Sequence, residues 1–431
     1  MQKYVCFCWF LLFSCTPQLK SYLISSLEDP YIIRKQIPAP RTNLYSWQNN
    51  LPDTVYRNST SQRIIKVRYN FIKAASQNEY FSQEAAEKFA QTLNAAANFR
   101  FYHNQKMHLP EGNNTPVFPI NLKLEITPDN TVQGDNGIAV YEEEDAAKAY
   151  FNKQGTGKNL FSSYVYDQYG KNKNEVLNIF VMEHHPDSIA SPTYKAEHNG
   201  VGSAKYLKIA GAYHTSRDSV LKNDKSGKRA KNGWDMIGII VHELGHTFGL
   251  AHTWNANDGC DDTPRNDNCY SPNTRPDCPG GYSNNMMDYN YCQCSLSPCQ
   301  IGRIHSNINK NNSQLRKFVK EDWCDYNPSM KVKIREADTL IWYGNRQLHA
   351  DLILGSNAYL EIRGNVHLPE NAQLKIGSGA TLFLNGGRLY NDCDAQWGGI
   401  VIESIKAESG KVILSKEALI ENCAFEQDIG I

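Results

Sequence analysis

The sequence has no excess of either charge: 45 Lys and Arg stand against 45 Asp and Glu. A chain that grips nucleic acid or an anionic membrane needs a basic surplus, so neither partner is expected. Long apolar runs are also missing. The run Val5 to Phe13 has nine residues, and no other stretch approaches the roughly 18 apolar residues that a transmembrane helix needs. No transmembrane span is expected. Residues 17 to 60 contain no cysteine and no clear hydrophobic period, but they do contain Pro30, Pro38, Pro40 and Pro52. They read as a linker or a short pro-segment.

What is present divides the 431 residues into two or three domains, since domains commonly run to about 100 to 200 residues. Residues 1 to 16 have the form of an export signal, with Lys3 ahead of a short apolar core. Leu12-Phe13-Ser14-Cys15 resembles a bacterial lipobox, which would put a lipid anchor on Cys15; ordinary cleavage near Thr16 is the alternative. Either route predicts a secreted or cell-surface protein.

From residue 61 the pattern is that of a packed α/β unit running to 326. Ile65, Val67, Tyr69 and Phe71 alternate with Lys66, Arg68 and Asn70, which predicts a half-buried strand. Ser82 is placed to cap a helix whose inner face is Ala86, Phe89, Ala90, Leu93 and Ala97. Further strands are expected at Ile120 to Ile126, Val176 to Met182 and Tyr206 to Ala212. His184, His185 and His214 lack ligand spacing and read as surface or loop residues.

The chemistry lies in His242-Glu-Leu-Gly-His-Thr-Phe-Gly-Leu-Ala-His252. On a helix, residues four apart share a face, so His242 and His246 point the same way with Glu243 beside them. Ile237, Val241, Leu244 and Phe248 form the opposite, apolar face. Gly249 can turn the chain in a left-handed conformation and bring His252 back as a third ligand. Three neutral histidines leave a fourth tetrahedral position for water, the arrangement of a catalytic zinc site. Zinc lowers the pKa of that water to about 7, and Glu243 is placed to take the proton and return it to a leaving amine.

This segment resembles the extended zinc motif of the metzincin metalloendopeptidases, and most of all their pappalysin-type branch. The likeness is carried by His252-Thr-Trp254, Asp262-Thr-Pro264, the methionine turn Asn285-Met-Met-Asp-Tyr289 and Gln300-Ile-Gly-Arg-Ile304. It implies an α/β (α+β) fold with a twisted mixed sheet, a backing helix and an active-site helix. It also implies that Met287 lies beneath the zinc ligands, and that the Tyr289 hydroxyl lies near the metal, where it can bond a developing oxyanion. Members of the family bind calcium near the position of Asp262, so Ca2+ is expected there beside Zn2+; Asp258, Asp261 and Asp267 are further candidates. Such enzymes are often kept latent by a cysteine or aspartate of a propeptide. With no cysteine in residues 17 to 60, Asp29 or Asp53 would have to serve.

Cys260, Cys269, Cys278, Cys292, Cys294 and Cys299 lie close together, and in an exported chain they are expected to form a disulfide framework. The resemblance implies bridges between the regions before and after the methionine turn, without saying which. Cys324 makes a seventh.

From about residue 327 to 431 the texture changes to short strands separated by Gly and Asn. Ala358–Ile362, Ala372–Ile376 and Ala380–Leu384 look like copies of one unit, offset by 14 and then 8 residues. Their sum, 22, suits one coil of an all-β solenoid, a parallel β-helix; a β-sandwich is the alternative. Coils need neighbours, so the chain is expected to be a fragment or to have its last coil covered by another molecule.

The expected function is that of a zinc endopeptidase acting on proteins or peptides by a zinc-bound water that Glu243 activates. The alternative is a surface adhesin or glycan-binding solenoid with an inactive or minor zinc domain.

Overall fold

The structure, a computed structural model, describes residues 18–75, 82–151, 160–185, 199–210, 233–254, 258–265, 281–290, 292–310 and 312–424. Two compact units make up the chain: one of residues 43–322, the other of residues up to 42 together with 323–431. The expected signal at 1–16, with Cys15, lies outside the described residues.

Two strands come first in the chain, β1 (Leu19–Leu23) and β2 (Ile32–Arg34), and they belong to the second unit. Residues 17–60, read as linker or pro-segment, are therefore integrated into folded structure. Residues 43–60 pack on the 43–322 unit: the Ser306 hydroxyl donates to the Tyr45 carbonyl at 2.6 Å and the Asn309 amide to Asn50 at 2.8 Å. Asp29 accepts from the Tyr22 hydroxyl and the Tyr31 N–H, and Asp53 from the N–H groups of Val55 and Tyr56. Both carboxylates serve local turns.

The 43–322 unit is built on a seven-stranded sheet. Its central strand, β3 (Arg63–Ala74), has β4 (Leu122–Ile126) and β5 (Ile138–Glu143) end to end along one edge and β7 (Leu177–His184) along the other. The short β6 (Tyr150–Phe151) extends the far end of β7. Beyond β7 lie β9 (Tyr206–Ala210) and then β8 (Asn199–Gly202) at the edge. All pairs are parallel except β8–β9, which is antiparallel. The result is the mixed sheet that was expected.

Helix α1 (Gln83–Tyr102) is capped by the Ser82 side chain, which accepts from the Ala85 N–H. Its Phe89 meets Phe71 of β3 edge-on at 6.1 Å. Short helices α2 (Ala146–Ala149) and α3 (Tyr164–Tyr169) follow, then α4 (Ile237–Thr247) and α5 (Pro298–Asn309).

The half-buried reading of β3 is corrected. Its supposed solvent face is covered too: Arg68 and Asn70 are 5% and 0% exposed. Asp135 receives two short bonds from the Arg68 guanidinium, at 2.7 and 2.6 Å, and Asn70 donates to Asn178 at 3.0 Å. A polar residue can be buried when its partners are supplied, and here they come from segments far along the chain. His184 is likewise a buried residue of β7 rather than a surface one. His214 lies outside the described residues.

The second unit holds three series of parallel strands. The first is β10 (Lys331–Ile334), β13 (Asp351–Leu354), β16 (Leu374–Ile376) and β19 (Ile400–Ile405). The second is β11 (Thr339–Trp342), β14 (Tyr359–Ile362), β17 (Thr381–Leu384) and β21 (Lys411–Leu414). The third is β12 (Arg346–Gln347), β15 (Asn365–His367), β18 (Arg388–Tyr390) and β22 (Leu419–Ile420). A two-residue strand, β20 (Glu408–Ser409), folds back on β19.

Register aligns like with like: Trp342, Ile362, Leu384 and Leu414 stand opposite one another and are all buried. Tyr359 faces Thr381, which is the offset of 22 expected from the repeated unit. The unit at 372–376 belongs to a different series, so the offsets of 14 and 8 are steps between series. Parallel pairing throughout the three series differs from the antiparallel sandwich considered as the alternative. Within this unit Cys324 is bonded to Cys393, so it is not a seventh member of the earlier cysteine cluster.

Candidate active site

Helix α4 carries His242 and His246 one turn apart, and it ends at Thr247 because Gly249 takes φ +88°. The Gly249 N–H then bonds the His246 carbonyl and the Leu250 N–H the Gly245 carbonyl, each at 2.9 Å. This turn returns His252 to the other two rings. The three Nε2 atoms lie 3.1, 3.2 and 2.9 Å from one another.

Backbone carbonyls fix two of the ring tautomers. His242 Nδ1 lies 2.7 Å from the Met286 carbonyl and His246 Nδ1 lies 2.9 Å from the Leu250 carbonyl. A carbonyl only accepts, so each Nδ1 must carry the proton and each Nε2 must present a lone pair. Burial also keeps the rings neutral: it lowers His242 to about 3 and His252 to about 4, and it lowers His246 too. Neutral lone pairs converging on one point are unfavourable without a cation between them. Zinc bonds of about 2.0–2.1 Å in a tetrahedron would set the nitrogens about 3.3 Å apart, so the donor set fits that ion.

Glu243 is 4% exposed, and burial pushes its carboxyl up to about 8, although the Gly202 N–H donates to it. Its Oε2 has no protein hydrogen-bond partner. Two glycines of β8 make room for it. A Cβ on Gly200 would lie 2.4 Å from Glu243 Cγ, and one on Gly202 would lie 2.1 Å from the Glu243 carbonyl oxygen. No larger residue could pass there without moving the helix.

Beneath the histidines, Met287 is fully buried, and a Cβ on Gly245 would come within 2.1 Å of its sulfur. The methionine turn is tied by the Asn285 side chain, which accepts from the Met287 N–H and donates to Gln300, each at 2.8 Å. Tyr289, half exposed, stands 5.6 Å from the His242 ring and 5.4 Å from the His252 ring. Burial, and then the nearby Glu243 carboxylate, raise its hydroxyl above the ordinary value. Trp254 stacks flat on His252 at 3.9 Å and also meets Tyr289 at 4.4 Å. The glycines 200, 202 and 245 and the stacking of Trp254 escaped sequence reasoning. Only the pair Gly200-Val-Gly202, just ahead of the apolar run from Tyr206, hinted at a close approach.

Of the cysteine cluster, Cys260–Cys299 joins the regions on either side of the methionine turn, and Cys292–Cys294 closes within the second region. Cys269, Cys278 and Asp267 lie outside the described residues. Asp262, expected to face calcium, is hydrogen-bonded by protein groups on both oxygens: the Ser297 hydroxyl at 2.7 Å and the Cys299 N–H at 2.9 Å. It thereby anchors the start of α5, where a negative charge is favoured. Asp258 accepts from the Thr263 hydroxyl and the Cys260 N–H.

Residues 182–315 match the family model described as "Metallo-peptidase family M12B Reprolysin-like", a stretch that spans the three histidines, Glu243, Met287 and Tyr289. The matched stretch lies within the 43–322 unit and includes β8, β9, the histidine helix and α5 of its α/β fold. Among solved structures the chain is similar to mirolysin in complex with compound 9, with 18% identity and a TM-score of 0.41, covering 60% of this chain and 96% of that one. It is also similar to Tannerella forsythia mature mirolysin in complex with a cleaved peptide, with 19% identity and a TM-score of 0.35, over the same shares of the two chains. No curated protein matches the chain. Among the described residues, no helix is long and apolar enough to cross a membrane.

Proposed function

We propose that this chain is an exported zinc endopeptidase of the pappalysin type, with a parallel β-helix as its second unit. The observation that carries the reading is the convergence of three Nε2 lone pairs within 2.9–3.2 Å beside a buried carboxyl. A zinc ion held by His242, His246 and His252 would supply a Lewis acid and a water of lowered pKa.

The chain's own residues do the rest. Among the described residues strand β8 is the sheet edge next to Glu243; its Gly202 N–H serves Glu243, and its remaining outer backbone groups suit an extended peptide laid alongside. Glu243 takes a proton from the attacking water and returns it to the leaving nitrogen. Burial raises its proton affinity, which suits a group that must hold a proton between the two transfers. Tyr289, beside two of the rings, donates its hydroxyl proton to the developing oxyanion. Met287 and Gly245 interlock beneath, so the helix cannot slide.

A calcium ion in the 258–262 loop would have to share Asp262 with Ser297 and Cys299; a calcium titration followed by thermal shift, with Asp262→Asn as control, decides that part. The export part of the reading rests on the signal-like residues 1–16, with a lipid anchor on Cys15 or ordinary cleavage near Thr16. The second unit contains an open polar depression of about 400 Å³ lined by Asn391, Asp392, Asp394, Gln396 and Asn422 among others. This favours a second reading, in which that unit binds a hydrophilic ligand such as a glycan; a glycan array probed with the full chain tests it.

For the peptidase, a proteome-derived peptide library is digested with wild type and with Glu243→Gln, and metal content is measured in parallel. The expected result is cleavage by wild type, stopped by a chelator, and a loss of about 10²–10⁴-fold in the variant with one zinc still bound. Near-normal cleavage by the variant would overturn the assignment of the general base.

A further inference from the structure

The segment ahead of the catalytic unit ends the strand series of the other unit. β1 lies antiparallel on β19, from Leu19 opposite Ile405 to Leu23 opposite Val401. β2 lies parallel on β21, with Ile32, Ile33 and Arg34 opposite Val412, Ile413 and Leu414. The corner between them is closed by Asp29, whose carboxylate accepts from the Tyr22 hydroxyl and the Tyr31 N–H and whose carbonyl accepts from the Ile32 N–H. Past β2 the contact continues. The Lys416 N–H donates to the Ile37 carbonyl at 3.2 Å, and the Ala39 N–H to the Glu417 carboxylate at 2.8 Å. Gly386 leaves the space that Ala39 fills, since a Cβ there would lie 2.5 Å from the Ala39 methyl.

These contacts are built rather than incidental. Ile24 is fully buried and Ile32 nearly so, which means that the segment contributes to the unit's core. Each rung of a parallel series leaves unpaired N–H and C=O groups for the next, and an open edge invites a further strand. The antiparallel direction of β1 breaks that progression, because a following coil would pair in parallel on both series. The new outer rung carries exposed Lys20, Arg34 and Lys35, the kind of side chain that discourages further pairing.

We propose that residues 18–42 are a strand cap of the C-terminal unit, and that the edges of β19 and β21 form an acceptor surface for an extended segment of this sequence. The role is independent of the peptidase reading. It assigns these residues to a unit other than the one they precede in the chain. A cut in residues 35–41 gives up at most the contacts of Ile37 and Ala39 and leaves the cap in place, held by strand pairing and by Ile24 and Ile32.

The test uses the full chain with a site for a sequence-specific protease placed in residues 36–41. After cleavage, a fluorescent synthetic peptide of residues 18–35 is added. The expected result is that the cut fragment co-elutes with the remainder in gel filtration. The labelled peptide exchanges for it up to one per chain, and a peptide carrying Ile24→Asp and Ile32→Asp binds at least about 100-fold more weakly. Amide exchange in 400–405 and 411–414 should be slow with peptide bound and fast once the fragment has been removed. If the fragment dissociates on cutting and the native peptide binds no better than the doubly substituted one, the proposal is wrong. Failure here would leave cleavage of the peptide library unaffected, so the two readings fail separately.

Discussion

Among the described residues of the 43–322 unit are two clusters of metal-compatible side chains, and they differ in what already satisfies them. At His242, His246 and His252 the outer nitrogens of two rings are held by carbonyls, and all three inner nitrogens face one another. At Cys260, Asp262 and Cys299 the sulfurs are bonded to each other and both carboxylate oxygens receive protein donors. Proximity alone makes both look like ligand sets. The first leaves three converging lone pairs that suit a cation, whereas in the second each of these atoms already has a protein partner in a clamp at the start of α5.

The largest effect should come from removing a ligand. His246→Ala should lower bound zinc from one per chain to none at micromolar zinc, while Asp262→Asn leaves it at one; mass spectrometry of the metal content compares the two. Equal losses would abolish the distinction. Acid should then separate the sites by stability. A histidine whose folded pKa lies below its free value contributes stability above about pH 6.5 that is lost as pH falls toward the folded value. His242 near 3, His252 near 4 and the fully buried His305 near 4 all fall in this class. Metal-free protein should therefore lose several kcal/mol between about pH 6.5 and 4 in urea titrations. His305→Gln should flatten part of that slope.

Opening the clamp comes next. Cys260→Ser with Cys299→Ser releases a 39-residue separation and should cost about 2–4 kcal/mol in thermal unfolding with zinc retained. Gly245→Ala should cost about 1–3 kcal/mol, because its methyl must displace the Met287 sulfur, and Met287→Ala in the same chain should recover much of that loss. The smallest expected change is Asp262→Asn, about 0.5–1 kcal/mol from the weakened start of α5, read as a shift of a few degrees in melting temperature.

What could be read without a structure follows the same division. Histidines at 242, 246 and 252 are neighbours by local helix geometry and one glycine turn, so spacing alone was enough. The clamp depends on Ser297 and Cys299 meeting Asp262 across more than thirty residues, and no local pattern encodes that. Gly200, Gly202 and Gly245 were invisible for a related reason: their smallness answers to side chains elsewhere in the chain. Arg68 and Asn70 looked like a wetted face because their partners, Asp135 and Asn178, come from other strands and loops. In the second unit the 22-residue offset of Tyr359 and Thr381 was legible as a repeat. The cap was not, because Leu19–Leu23 is almost wholly exposed and shows no alternation.

The split composition of the second unit also bears on how the protein is made. Leu23 must wait for Val401, and Ile32 for Val412, so nearly the whole catalytic unit is synthesised between one strand and its partner. At about 5–20 residues per second that interval is roughly 20–80 s. During that time the first strands have no edge to join, while the catalytic unit can complete its own sheet. Contacts of such high sequence separation form late, so the pairing of β1 on β19 and of β2 on β21 should be the last to form.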